Sequence, residues 1–173
     1  TVACWGSNVL GQGTPPSDLG PVKLIDAGSF FSVAVRTDGT VSCWGNNNSG
    51  QCTVPSGLVD VRSISAGDQH VVALQSNGLV RAWGQNASGQ CNVPTQPSLG
   101  SVVEVAAGGQ HSMALRTDGS VLCWGSNQVN QSAVPPGLLG VAQISAGYQF
   151  SAALRQDGSI AVWGSLTNVP AGL

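Results

Sequence analysis

Charge is what this chain most lacks. Charged residues make up 8% of its 173 residues, against about 25% in an ordinary soluble domain. Solubility therefore has to come from Asn, Gln, Ser, Thr and exposed backbone. Lys23 is the single lysine and the net charge is −2. A phosphate backbone is bound by a basic stripe, and the absence of one excludes nucleic acid as an expected partner. No apolar run approaches the roughly 20 residues that span a bilayer, so no membrane span is expected. No signal segment is visible either. The opening stretch TVACWG reads as strand, as in a mature product or a portion of something longer. No segment keeps a helical period over ten residues, and 24 Gly and 9 Pro argue against one. What is present in quantity is apolar surface, at 42% of residues, enough for a core.

The apolar residues are organised by an internal repeat. Trp-Gly occurs at Trp5, Trp44, Trp83, Trp124 and Trp163, giving spacings of 39, 39, 41 and 39. The text around each Trp returns: WGSNVLGQ, WGNNNSGQ, WGQNASGQ, WGSNQVNQ. A Pro-containing stretch follows, then an apolar strand ending in Ala-Gly (LIDAG, SISAG, EVAAG, QISAG). A second strand (FSVAVR, HVVALQ, HSMALR, FSAALR) leads through a turn back to Trp. The turns hold Asp38-Gly39, Asn77-Gly78, Asp118-Gly119 and Asp157-Gly158, which predict tight two-residue hairpins. Val33, Val35 and Val41 alternate as half-buried strand residues do. Short antiparallel strands at a period near 40 predict propeller blades. A β-solenoid is the alternative. Each Trp is expected to wedge between neighbouring sheets.

The string WGxNxxGQxxVP…VxxIxAGxxHxxALxxDGxVxxWG resembles the regulator of chromosome condensation repeat over nearly the whole chain. Its short, insertion-free spacing is closest in style to bacterial and extracellular members, among them a secreted β-lactamase inhibitory propeller. The resemblance implies an all-β fold of four-stranded antiparallel blades, a seven-bladed ring, and protein binding. The repeats run near 5–43, 44–82, 83–123 and 124–162, with a partial one at 163–173, in a single domain. A seven-bladed ring at this period needs roughly 270 residues. The nuclear exchange activity toward a small GTPase is therefore not carried over.

Counting strands gives four full sets plus a leftover pair, Val2–Gly6 and a strand near Gln12. A matching pair is expected at Ile160–Gly164 and Thr167–Pro170. An open stack leaves uncovered apolar ends that invite pairing. More repeats outside this sequence, completion by a second chain, or unusually tight closure would each answer it. We expect the second, which gives a homo-oligomer, or a filament where head-to-tail contacts do not close.

The candidate binding residues lie in the AGxxH loops: Phe30, Asp68, Gln69, Gln110, Tyr148 and Gln149. They vary between copies while their neighbours stay constant. Only Phe30 and Tyr148 offer aromatic anchors, whereas the inhibitory propeller crowds aromatics there, so a β-lactamase is a poor candidate partner. His70 and His111 share a position with Phe31 and Phe150. That substitution argues against catalysis or metal ligation, and a half-buried ring bonded within its own blade is expected. No zinc spacing, nucleophile triad or phosphate loop is present. No catalytic residue, metal or cofactor is therefore assigned, and the chain is not expected to be an enzyme.

The amides Asn8, Asn47, Asn86 and Asn127, with Gln12, Gln51, Gln90 and Gln131, recur in one loop. They are expected to satisfy backbone groups. A glycan-binding ladder is the alternative. Gly11, Gly50 and Gly89 are expected at positive φ, with Asn130 standing in for them. Sequons begin at Asn47, Asn86 and Asn130 and matter only in a glycosylating secretory setting.

Five cysteines remain: Cys4, Cys43, Cys52, Cys91 and Cys123. Pairing inside one loop offers only Cys43–Cys52 and strands the rest. An offset of one repeat gives Cys4–Cys52 and Cys43–Cys91, and the next such positions, Ala82 and Ser132, have lost both cysteines together. We expect the offset pairs, with five free thiols as the rival. Disulfides would favour an extracellular, secreted or cell-surface location. The function expected is a non-enzymatic binding or assembly module. A lectin-like propeller and a protein-inhibitor-like binder are the alternatives.

Overall fold

The computed structural model describes residues 2–95 and 98–166. Twelve strands form four antiparallel sheets of three, and no helix occurs among the described residues. Blade 1 is β1 (Val22–Ala27), β2 (Phe31–Arg36) and β3 (Val41–Gly45). Blade 2 is β4 (Val61–Ala66), β5 (His70–Gln75) and β6 (Val80–Gly84). Blade 3 is β7 (Val102–Ala107), β8 (His111–Arg116) and β9 (Val121–Gly125). Blade 4 is β10 (Val141–Ala146), β11 (Phe150–Arg155) and β12 (Ile160–Gly164). Each sheet runs in chain order, with the Ala-Gly strand innermost and the Trp strand outermost. The register repeats: Ser32↔Trp44, Val71↔Trp83, Ser112↔Trp124 and Ser151↔Trp163 are directly opposed.

Among the described residues the expected fourth strand is not formed. The Gln segment turns twice instead. In one copy Gly50 N donates to Asn47 O at 3.0 Å and Thr53 N to Gly50 O at 3.0 Å. Bonds closed on themselves in this way leave no alternating row of donors for a ladder. The leftover pair is corrected likewise, because neither Val2–Gly6 nor the region of Gln12 is a strand. Nothing among the described residues pairs with Val2–Gly6 as β2 pairs with β3. The strand expected at Thr167–Pro170 lies outside the described residues.

The hairpins also differ from expectation. Arg36 N donates to Thr40 O at 2.8 Å and Gly39 N to Arg36 O at 2.9 Å, so the loop Thr37-Asp38-Gly39 has three residues. Only the last needs the left-handed region, and Gly39 sits at φ 85°. Asp38 Oδ1 accepts from the Thr40 N–H at 2.9 Å and its hydroxyl at 2.6 Å, which fixes the turn.

The core lies between blades, not within them. Phe31 and Val35 of blade 1 cluster with Val61, Val71 and Trp83 of blade 2. Val72 and Leu74 cluster with Val105 and Trp124, and Met113 and Leu115 with Ile144 and Trp163. Each of these Trp side chains thus packs on the preceding blade. Middle strands such as β5 are buried on both faces. Among the described residues, nothing covers the two ends of the stack. Ile25 of blade 1 is 53% exposed, where its counterparts Val105 and Ile144 are at 4%. Leu154 of blade 4 is exposed, where Val35, Leu74 and Leu115 are buried.

The cysteine expectation is overturned. Cys43 pairs with Cys52 inside one loop, with Cα atoms 5.0 Å apart, so neither Cys4–Cys52 nor Cys43–Cys91 forms. The double turn folds the segment back beside its own Trp strand and brings residues nine apart together. The same spacing joins Cys4 to Gly13, Ala82 to Cys91 and Cys123 to Ser132, so Cys4, Cys91 and Cys123 are free. Burial pushes the Cys91 thiol up to about 11 and the Cys123 thiol up to about 12, which keeps both inert.

Two outcomes follow from this packing. Trp124→Phe, which removes the indole N–H that reaches Gln90 O at 2.9 Å, should cost about 1–3 kcal/mol in urea unfolding. Trp5→Phe, at a position 89% exposed, should stay within about 0.5 kcal/mol. Oxidised protein alkylated after unfolding in denaturant should show three modified thiols by mass. Reduction of Cys43–Cys52 should lower stability by roughly 2–3 kcal/mol, the loop-closure entropy of a nine-residue separation.

Candidate binding surface

Four Ala-Gly pairs converge at the inner end of the blades. A Cβ on Gly67 would meet Gly108 O at 2.3 Å, and one on Gly108 would meet Gly147 O at 2.5 Å. Only glycine lets the neighbouring carbonyl approach so closely. The loops that follow are drawn together around a shallow depression of about 270 Å³, lined by Ser29, Asp68, Gly109 and Tyr148 beside those pairs. Neighbouring loops bond to each other. Ser29 Oγ donates to Asp68 Oδ1 at 3.0 Å, and Gly109 N to Tyr148 O at 3.1 Å. The Tyr148 ring lies over Gly109, where a Cβ would meet Tyr148 Cδ2 at 2.9 Å.

The six candidate residues divide. Asp68 and Tyr148 line the depression. Gln110 and Gln149 line a separate recess of about 170 Å³ that also includes Tyr148, so Tyr148 belongs to both. Gln69 and Gln110 carry framework bonds, accepting from the hydroxyls of Ser49 at 2.8 Å and Ser88 at 3.0 Å. Phe30 lines neither recess but is exposed, as is Tyr148 at 64%. The surface therefore offers two exposed aromatics, one carboxylate and a set of amides on a rigid backbone. Among the described residues, no three His, Cys, Asp or Glu side chains gather to hold a metal.

The loop amides are committed locally. Asn47 Oδ1 accepts from Cys52 N at 2.8 Å, Asn86 Oδ1 from Cys91 N at 2.9 Å, and Asn127 Oδ1 from Ser132 N at 3.0 Å. Gln51, Gln90 and Gln131 are buried, and each accepts a backbone N–H two residues earlier. Of the three sequon asparagines, all exposed, Asn130 sits at φ 64° in place of glycine.

Sequence reasoning missed two polar systems. One lines the axis, where side chains of an innermost strand accept backbone N–H groups of the next blade. Asp26 Oδ2 takes Ala66 N at 2.9 Å, Ser65 Oγ takes Ala107 N at 3.1 Å and Glu104 Oε2 takes Ile144 N at 3.3 Å. The signal was the polar residue one or three places before each Ala-Gly alanine. The other involves the histidines, which are fully buried and bond across blades, not within them. His70 Nε2 meets Ser112 Oγ at 3.0 Å and His111 Nε2 meets Ser151 Oγ at 2.9 Å. Each serine hydroxyl donates to a glutamine carbonyl, Gln90 O or Gln131 O, at 2.8 Å. Nε2 must therefore carry the hydrogen, which makes both rings the neutral Nε2–H tautomer.

All four repeats match the Regulator of chromosome condensation (RCC1) repeat, at residues 22–51, 61–90, 102–131 and 141–168. The chain belongs to this family. Its fold is similar to the ectodomain of the Physcomitrella patens receptor kinase CR4, with TM-score 0.80 and 23% identity over 99% of this chain and 48% of that one. The ectodomain of the Arabidopsis thaliana receptor kinase ACR4 gives 0.77 and 25% over 98% and 62%. Prp20p of Saccharomyces cerevisiae, described with its binding properties toward Gsp1p and histones, gives 0.73 and 22% over 93% and 52%. The chain thus spans about half to three fifths of the length of these solved relatives. A comparison with curated protein sequences returned no match.

The buried histidines give a pH prediction. Burial, and for His70 also the neighbouring His111, lowers both from 6.5 to about 4. Between these values the unfolded chain takes up protons that the folded one does not, so the histidine contribution to stability falls as pH drops through that window and levels off below it. The slope should approach at most about 2.7 kcal/mol per pH unit for two protons. Glu104, raised by burial, acts in the opposite direction, so the comparison to make is with His70→Phe/Ser112→Val, which should halve the histidine slope. Ser112→Val alone leaves His70 N–H unpaired and should cost about 1–3 kcal/mol in urea unfolding.

Proposed function

We propose that this chain is a non-enzymatic, extracellular protein-binding module that works through its Ala-Gly loop face. The observation that carries the reading is the convergence of variable loops from all four blades on one depression, topped by the exposed Tyr148. Fixed framework beneath and varied side chains above is how rigid repeats present a recognition surface. Exposed aromatics on such a surface supply large contact area at small entropic cost. Support also comes from Prp20, which binds Kap60 in one of the related solved structures. The Cys43–Cys52 bond supports an oxidising location. A lectin-like role is less supported, because the recurring amides already bond within their own loops.

A second reading concerns the uncovered ends of the stack, marked by Ile25, Trp5 and Leu154. These are docking faces for another protein or another copy of the chain.

Peptides selected from a displayed library on the immobilised protein should converge on a motif whose affinity falls at least about tenfold with Tyr148→Ala. Leu139→Ser, at an exposed position outside both recesses, should leave it unchanged. Equal loss in both variants, or sugars but no peptides retained on parallel arrays, would reject the loop face as a protein-binding site.

A further inference from the structure

We infer that the depression at the Ala-Gly end of the blades is a socket for an arginine side chain of the bound partner. The inference rests on reading the loop face as a protein-binding surface, and it specifies the chemistry of what is bound.

The hydrogen-bonding capacity of the lining is the first ground. The four glycines of the Ala-Gly pairs spend their N–H groups inside their own hairpins. Gly28 N donates to Phe31 O at 3.0 Å, and Gly67, Gly108 and Gly147 donate to His70 O, His111 O and Phe150 O at 2.9 Å. Gly109 N is committed to Gly147 O and Tyr148 O. The Ser29 hydroxyl donates to Asp68 Oδ1. Among the described residues, by contrast, no N–H or O–H reaches Gly67 O, Gly108 O or Asp68 Oδ2. The lining thus holds spare acceptors while these donors are spent. A ligand that fits it donates several hydrogen bonds and need accept none.

Charge is the second ground. All six cationic side chains sit in the half of a strand remote from these loops. Lys23 and Arg62 are the second residues of strands that end at Ala27 and Ala66. Arg36, Arg116 and Arg155 are the last residues of strands that begin at the loops. Arg81 is set against Ala73, whereas Gly84 is the residue set against His70 at the loop end. From Phe31 to Arg36 an extended strand covers roughly 17 Å. The depression itself holds the half-buried Asp68, and no Lys or Arg lines it. The field at this end favours a cation.

Shape decides which cation. The point where a Cβ of Gly109 would lie is 3.3 Å from Asp68 Oδ2 and 2.9 Å from Tyr148 Cδ2. Carboxylate and ring therefore border one spot, and a cation is drawn to a ring within about 6 Å of its centre. At about 270 Å³ the depression admits a side chain and is large for a bare ion. A guanidinium matches these features. It is planar, stays charged, presents its N–H donors in a fixed fork with no acceptor, and stacks on an aromatic face while its edge bonds a carboxylate. A lysine ammonium is a compact point charge and does not span acceptors on separate loops.

Peptides selected from a randomised displayed library on the intact chain should share an arginine. Replacing that arginine by citrulline, which keeps the shape and loses the charge, should weaken binding at least about tenfold, as should Asp68→Asn. Asp68→Asn keeps an acceptor for the Ser29 hydroxyl, so the loop stays in place. Asp18→Asn, exposed beside Leu19 whose carbonyl Arg36 holds at the far end, removes the same charge and should leave affinity unchanged. Tyr148→Phe should retain binding and Tyr148→Leu should lose it. Free acetyl-arginine amide should shift the Gly109 amide and Tyr148 ring resonances in NMR, and acetyl-citrulline amide should not. A convergent motif that depends on Tyr148 yet contains no arginine, or equal affinity of Asp68→Asn and Asp18→Asn, would overturn the arginine socket and leave the loop face standing. No convergent motif at all would sink both. Calcium chloride that shifts these resonances where acetyl-arginine amide does not would give the acceptors to a metal ion and reject the proposal.

Discussion

A single backbone carbonyl joins blade 1 to blade 2 and blade 2 to blade 3, while between blades 3 and 4 the buried Trp163 indole N–H has no partner among the described residues and packing alone holds the ring. Gln12, Gln51 and Gln90 each offer their C=O, at 2.9 Å, to the indole N–H of the following blade's tryptophan. At Gln12 and Gln90 a serine hydroxyl takes the second lone pair. These groups are removed from water, so each would be costly without the other. The apolar clusters divide the same way, each built from two adjacent sheets. No blade holds a core of its own, and stability is a property of neighbours. The remaining features of the fold serve this contact: the double turn that presents the carbonyl, the glycine that lets the next loop close in, and the axial side chains that take the neighbour's free N–H groups.

This arrangement separates framework from surface. Each repeat contributes the same Trp, Gln, Ala and Gly to the interfaces, and two loop residues that no interface requires to be constant. Ser29-Phe30, Asp68-Gln69, Gly109-Gln110 and Tyr148-Gln149 are consequently free to differ. Some of that freedom is taken up by local bonding, as with Gln69 and Gln110 on the serines of the preceding loop. What remains outward, chiefly Phe30 and Tyr148, is the chemistry the protein-binding proposal uses.

Much of this was legible in the sequence because a 39-residue period is a covalent fact. The Trp-Gly spacing, the alternation in FSVAVR and the Asp-Gly turns identify stacked antiparallel sheets. The positive φ at Asn130 followed from its place among Gly11, Gly50 and Gly89. The candidate site was half legible. Variation between copies pointed to the loops, yet could not separate Gln69, which supports a neighbour, from Tyr148, which faces outward. The disulfide was not legible, because an offset of one repeat also accounts for the joint loss at Ala82 and Ser132. The informative spacing was the nine residues that the double turn closes.

The sequence by itself determined the repeat, the strand order within each blade and the positions of the special residues. These depend on local sterics and on period, which any single copy displays. Tertiary structure decided which residues meet across blades: His70 with Ser112, Asp26 with the Ala66 N–H, and Tyr148 over Gly109. Those partners lie about 40 residues apart, roughly one full repeat. A periodic chain lists each position once per copy without saying which copy it touches. Only stacking the sheets, with a fixed register and a fixed direction, settles that.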